Sequence, residues 1–109
     1  YRGDYLQGVD TSWNVLTRLR LRTVAGTTMC RVAELTAAKG EPDEAARWAV
    51  RARELDPLNE RAGRIFVAAL LAAGDRSAAR TASAELVATL GDADLQLSPA
   101  TSRLIDQLT

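Results

Sequence analysis

The chain has 109 residues, 47% of them apolar and 26% charged, and its fourteen basic side chains balance fourteen acidic ones. That is the make-up of one folded domain with one core, and it excludes collagenous and low-complexity chains. Histidine is absent and Cys30 is the single cysteine, which removes Ser-His-Asp and Cys-His catalysis, histidine-containing zinc sites and any internal disulfide. The expectation is a non-enzymatic protein without cofactor or metal, and the lone thiol fits a reducing, cytoplasmic compartment. Ile65 to Ala73, the longest apolar run, is far shorter than the roughly 20 residues a membrane helix needs. The opening Tyr1-Arg2-Gly3-Asp4 is neither a signal peptide nor a translation start, so residues 1–109 are expected to be a single domain excised from a longer protein.

Apolar residues recur at helical spacing along the whole chain, and no segment alternates as a strand does. The first helix is expected over 12–39, carrying Trp13, Leu16, Leu19, Val32 and Leu35, with a possible kink at Gly26-Thr27-Thr28. Gly40 closes it, and Pro42 opens a second helix over 42–55, with Glu41 as N-cap and Asp43 and Glu44 favouring the helix dipole. Asp56-Pro57 is expected to stop this helix and start a third over 57–73, capped by Asp56 and ended by Gly74. A fourth helix follows over 75–90 with Asp75 as cap and Gly91 as terminator. The fifth spans 99–108 after Ser98-Pro99.

Gly40 and Gly74 are separated by 34 positions. Sliding the chain by that interval places Val32 on Phe66, Leu35 on Ala69 and Ala45 on Ala79. This is the tetratricopeptide period, so the fold class expected is all-α, a tetratricopeptide-like helical repeat array of about five helices. The structural signature is Gly40, Ala45, Ala52, Asp56, Pro57, Gly74 and Ala79. Alanine at Ala45 and Ala52 lets neighbouring helices approach closely, and the segment after Gly74 reads as a closing repeat.

Several residues invite a chemical role. Asp92 and Asp94 do not begin a calcium loop, because Leu97 stands where the turn needs glycine and Arg103 where a bidentate Glu is required. Cys30 lies in an apolar-rich stretch without a base and reads as a small buried hydrophobe. Trp48 sits between packing alanines and reads as structural, whereas Trp13 suits a partner anchor as well as it suits a core. Arg18, Arg20 and Arg22 do not share one helical face, so a phosphate-binding stripe is not expected and neither is direct DNA binding. In the groove usually lined by the first helix of each pair stand Cys30, Glu34, Arg64 and Ala68. Glu34 disfavours a peptide carboxylate, while Arg61 and Arg64 could meet an acidic partner.

The ends of the chain carry more specific features than the repeat does. Tyr1-Arg2-Gly3-Asp4-Tyr5-Leu6 with Gly8, then Trp13 and Leu19-Arg20-Leu21-Arg22, precede Asp56-Pro57-Leu58-Asn59-Glu60, and Leu90-Gly91 leads to Ser98-Pro99-Ala100-Thr101. In these the chain resembles the bacterial transcriptional activator domain of actinobacterial antibiotic regulatory proteins. It departs from them after Trp13, where Asn14, Val15 and Thr17 replace the usual acids. The resemblance implies a cytoplasmic transcription regulator in which this module sits beside a winged helix-turn-helix domain and contacts RNA polymerase, its own DNA-binding domain or a second copy in a homodimer. The alternative is a generic tetratricopeptide-type interaction scaffold within a signalling ATPase or cyclase-type regulator.

Overall fold

The computed structural model describes the backbone of residues 3–108 and the side chains of residues 13–108. Five α-helices follow one another: α1 (Gly3–Ala38), α2 (Pro42–Leu55), α3 (Glu60–Ala72), α4 (Arg76–Asp92) and α5 (Pro99–Leu108), with no strand among the described residues. The all-α helical array expected from the sequence is the observed fold.

The two glycines a repeat apart end their helices in the same way. Gly40 and Gly74 have φ of 83° and 88°, left-handed values that carry no penalty for glycine. At the first, the amide of Glu41 donates to the Thr36 carbonyl and that of Gly40 to Ala37; at the second, Asp75 donates to Leu70 and Gly74 to Leu71. These paired bonds satisfy carbonyls that a helix end leaves open. The third helix end of this kind departs from expectation, because α4 runs through Gly91 and stops at Asp92. Asp94 takes the left-handed position at φ 59°, with Leu95 donating to Leu90 and Asp94 to Gly91. Aspartate tolerates that conformation better than most residues, so glycine was not required.

Two other boundaries and one cap differ from the sequence reading. α1 begins at Gly3 rather than residue 12 and continues without interruption through Gly26, since an interior glycine costs a helix about 1 kcal/mol but does not break it. α3 begins at Glu60, not at Pro57. Asp56-Pro57-Leu58-Asn59 forms a turn closed by the Asn59 amide on the Asp56 carbonyl, the Asp56 side chain takes the Leu58 amide, and Asn59 accepts from the Ala62 amide as the actual N-cap. Pro57 donates nothing, so the turn leaves no amide unmet. Glu41 precedes Pro42 but makes no side-chain cap, while Asp75 does cap α4 by accepting from Ala78.

The core is built from small side chains. Cys30, Ala33, Ala49, Ala52 and Ala62 are wholly buried with Ile65 between α1, α2 and α3, and Met29, Trp48 and Phe66 pack against them. Ala45 and Ala79 are also fully buried. A second cluster joins α3, α4 and α5 through Val67, Ala79, Ala82 and Leu108. α3 is thus covered from both sides and α1 from only one, which is why Leu35 stays 53% exposed while its repeat equivalent Ala69 is 3% exposed.

Candidate functional site

Thirty-six residues of α-helix are about 54 Å long, and the helices that pack against α1 have only 14 and 13 residues. α1 therefore outruns its partners. Every residue from 13 to 24 is exposed, and six of them are large and apolar: Trp13 at 67%, Leu21 at 63%, Val24 at 62%, with Leu16, Leu19 and Val15 about half exposed. Such a density of exposed large apolar side chains on one element marks an interaction surface more often than a solvated one.

At 100° per residue these side chains fall into two strips. Trp13, Leu21 and Val24 lie within about 80° of arc on the side away from the bundle. Val15, Leu16 and Leu19 lie within about 100° on the other side, in line with Gly26, Cys30 and Ala33, which are buried farther along the same helix. Leu19 and Arg22 of this inner strip overhang the turn between α2 and α3. With Gly26, Leu55, Pro57 and Asn59 they line an open cleft of about 380 Å³. A Cβ at Gly26 would stand 3.7 Å from the side-chain amide nitrogen of Asn59, an ordinary contact. That same amide group points its Nδ2 at the Cys30 sulfur, 3.7 Å away. Burial pushes the Cys30 thiol up from its ordinary range, although Arg61 and Asn59 pull against it; a thiol so placed is a packing group, not a nucleophile.

The other sequence candidates do not gather with Trp13. Arg61 bridges α3 to α1 through a two-pronged contact, its Nε donating to Glu34 Oε2 at 3.0 Å and its Nη2 to Oε1. The Arg61 hydrogen bond holds the Glu34 carboxyl below the usual carboxylate range, against partial burial, with the Arg61 charge adding to it. Arg64 turns towards α5, reaching Thr101 Oγ1 at 3.3 Å and Glu60 at 4.0 Å. Both cations of the groove thereby have partners within the chain. Arg18, Arg20 and Arg22 form no ion pair among the described residues. Trp48 is half-buried under the Arg51 guanidinium, 4.9 Å above its ring.

One polar cluster was not legible as such. Glu60, one turn before Arg64 on α3, accepts at Oε2 from the Ser98 amide (2.9 Å), the Ser98 hydroxyl and the Thr101 hydroxyl (2.5 Å each). Partial burial works to raise its carboxyl, but those hydrogen bonds and the Arg64 charge outweigh it and leave Glu60 below its ordinary value. The carboxylate thus sits at the N-terminus of α5, where the helix dipole favours it. At the opposite end, Arg76 Nη2 donates to the Gln107 carbonyl and Arg80 Nε to that of Leu108. α5 is held at each end by the charge that its dipole attracts. No group of residues able to hold a metal is present among those described, and no helix of the described residues is long and apolar enough to cross a membrane.

A family model, that of the bacterial transcriptional activator domain, matches residues 1–109, the whole chain. The chain belongs to that family. No curated protein and no solved structure matches it significantly. As a bacterial transcriptional activator domain it is a part of transcription regulation.

Proposed function

We propose that this chain is the protein-contact module of a cytoplasmic transcription regulator, a domain of a longer protein whose winged helix-turn-helix reads the promoter while this unit recruits RNA polymerase or pairs two regulators. The observation that carries the reading is the bare stretch of α1 over residues 13–24, with Trp13, Leu21 and Val24 exposed on its outer side. An aromatic anchor amid aliphatic side chains, with nothing covering it among the described residues, is the composition of an interface centre. Recruitment requires no chemistry, only a tether that raises the local concentration of polymerase at the promoter. Arg61 and Arg64, which are tied to Glu34 and to the start of α5, belong to the fold in this reading, and the contact lies along α1.

The test is a reporter whose promoter carries the site of an unrelated DNA-binding domain fused to this chain. Transcription should rise several-fold by local concentration and fall back to background with Trp13→Asp or Leu21→Asp, both exposed positions. Absence of activation, together with failure to retain polymerase holoenzyme on the immobilised chain, would overturn the reading.

A further inference from the structure

The inner strip of α1 has a chemistry more specific than exposure. Val15, Leu16 and Leu19 continue the arc that Gly26, Cys30 and Ala33 bury farther down the helix, and the covering helices stop short of them at the Leu55–Asn59 turn. Cations border this strip on both sides. Arg18 and Arg22, one turn apart, lie along one edge, and Arg20 lies beyond Leu16 along the other. None is paired among the described residues, and no acidic residue occurs between positions 13 and 33. Asp56, the one carboxylate at the cleft, accepts the Leu58 amide. An apolar strip edged with positive charge on both sides is complementary to an apolar strip edged with negative charge on both sides.

On this basis, and resting on the protein-contact reading above, we infer that the corner between α1 and the α2–α3 turn receives an acidic amphipathic helix of a partner protein, with apolar residues at i, i+3, i+4 and i+7 and Asp or Glu flanking them. One apolar side chain enters the cleft between Leu19, Leu55 and Pro57. The partner's carboxylates meet Arg18 and Arg22 on one edge and Arg20 on the other. A second copy of this chain is a poor occupant, because antiparallel pairing of two such strips opposes Arg18 and Arg22 of one chain to the same residues of the other. A nucleic-acid backbone is poorer still: Arg20 points about 160° away from Arg22, and an aliphatic strip lies between them.

Three fluorescent probes decide the matter with the chain as it stands: a 15-residue helical peptide with leucines at that spacing flanked by glutamates, its lysine-flanked counterpart, and a 20-base-pair duplex. The glutamate peptide is expected to bind at least roughly ten-fold more tightly than the lysine peptide at low salt, with the gap closing as salt screens the pairs. Leu19→Ala should weaken binding, and the double variant Arg18→Glu with Arg22→Glu should invert the preference between the peptides, with melting temperatures unchanged because these side chains are exposed. Equal affinity for the two peptides, no binding of either, indifference to the charge reversal, or preference for the duplex each overturns the inference. If neither peptide binds while the Trp13-dependent reporter still responds, the corner fails and the contact reading stands. If the glutamate peptide binds but the reporter is silent, the reverse holds.

Discussion

Two stretches of the unbroken helix α1 stand in opposite circumstances. From Ala25 onward it is pressed against α2 and α3 through Cys30, Ala33 and Thr36; from Trp13 to Val24 the same inner arc carries Val15, Leu16 and Leu19 and meets nothing among the described residues. The contrast in side-chain size is informative. Where α1 is packed its buried inner residues Gly26, Cys30 and Ala33 are small, because helix axes approach closely there, and where it is bare the same arc carries the larger Val15, Leu16 and Leu19. A residue's apolar character thus says that it wants a partner; its size, and the length of its neighbours, say whether that partner lies in the same chain.

The contrast can be broken most forcefully in the packed core that α1 shares with its neighbouring helices. Ala33→Leu or Ala45→Leu puts a larger side chain into a site with no exposed surface, and a loss of about 1–3 kcal/mol is expected by chemical denaturation. Gly63→Val should cost a similar amount, since even a Cβ there would stand 2.5 Å from Leu86 Cδ1, and Leu86 is itself buried. Wild-type stability of any of these would disprove the close packing.

A smaller effect is expected at Glu60. Glu60→Ala removes an acceptor shared by Ser98 and Thr101 and should cost about 1–2 kcal/mol, seen as loss of protection in α5 by hydrogen exchange. Because the folded-state carboxyl of Glu60 lies below its ordinary value, its stabilisation is complete above the unfolded value of about 4.3 and is lost as pH falls through the lower folded one. Glu34, held down chiefly by Arg61, adds to the same acid limb. Glu60→Gln should flatten part of that limb by lowering the neutral plateau, because the stabilisation it removes is complete only above the unfolded value.

The smallest effects belong to the bare stretch. Leu16→Ala, Leu19→Ala and Leu21→Ala should change stability by no more than about 0.5 kcal/mol, although the last two are expected to impair binding. Backbone amides of residues 13–24 should exchange at least roughly ten-fold faster than those of 28–36, because only the latter are covered by other helices. Equal protection of both stretches, or a large stability loss at Leu19, would mean that something within the chain covers the strip.

Local chemistry made much of the molecule readable in advance. The 34-residue spacing of Gly40 and Gly74, the alanines at Ala45, Ala52 and Ala79, and the prolines at Pro42 and Pro99 each act through their own backbone or within one helical turn, so they announced the helices and the repeat, while the resemblance to the family came from the two ends, Tyr1 to Leu6 and Ser98 to Thr101. Legibility failed where alternatives were locally equivalent. Asp56 and Asn59 are both good caps, and which of them starts α3 depended on the turn around Pro57; Gly91 and Asp94 could each end α4, and the left-handed position fell to Asp94.

The site divides along the same line. Sequence alone determined that residues 13–24 are apolar with interspersed arginines, and that no histidine or cysteine pair could carry chemistry. Tertiary structure alone decided that Trp13 is bare and Trp48 half-buried, that Arg61 is tied to Glu34, and that Glu60 reaches 41 residues along the chain to Thr101. Burial and ion pairing depend on which helices end where in space. That is a property of the relative lengths and packing of α1, α2 and α3, and no single stretch of sequence encodes it.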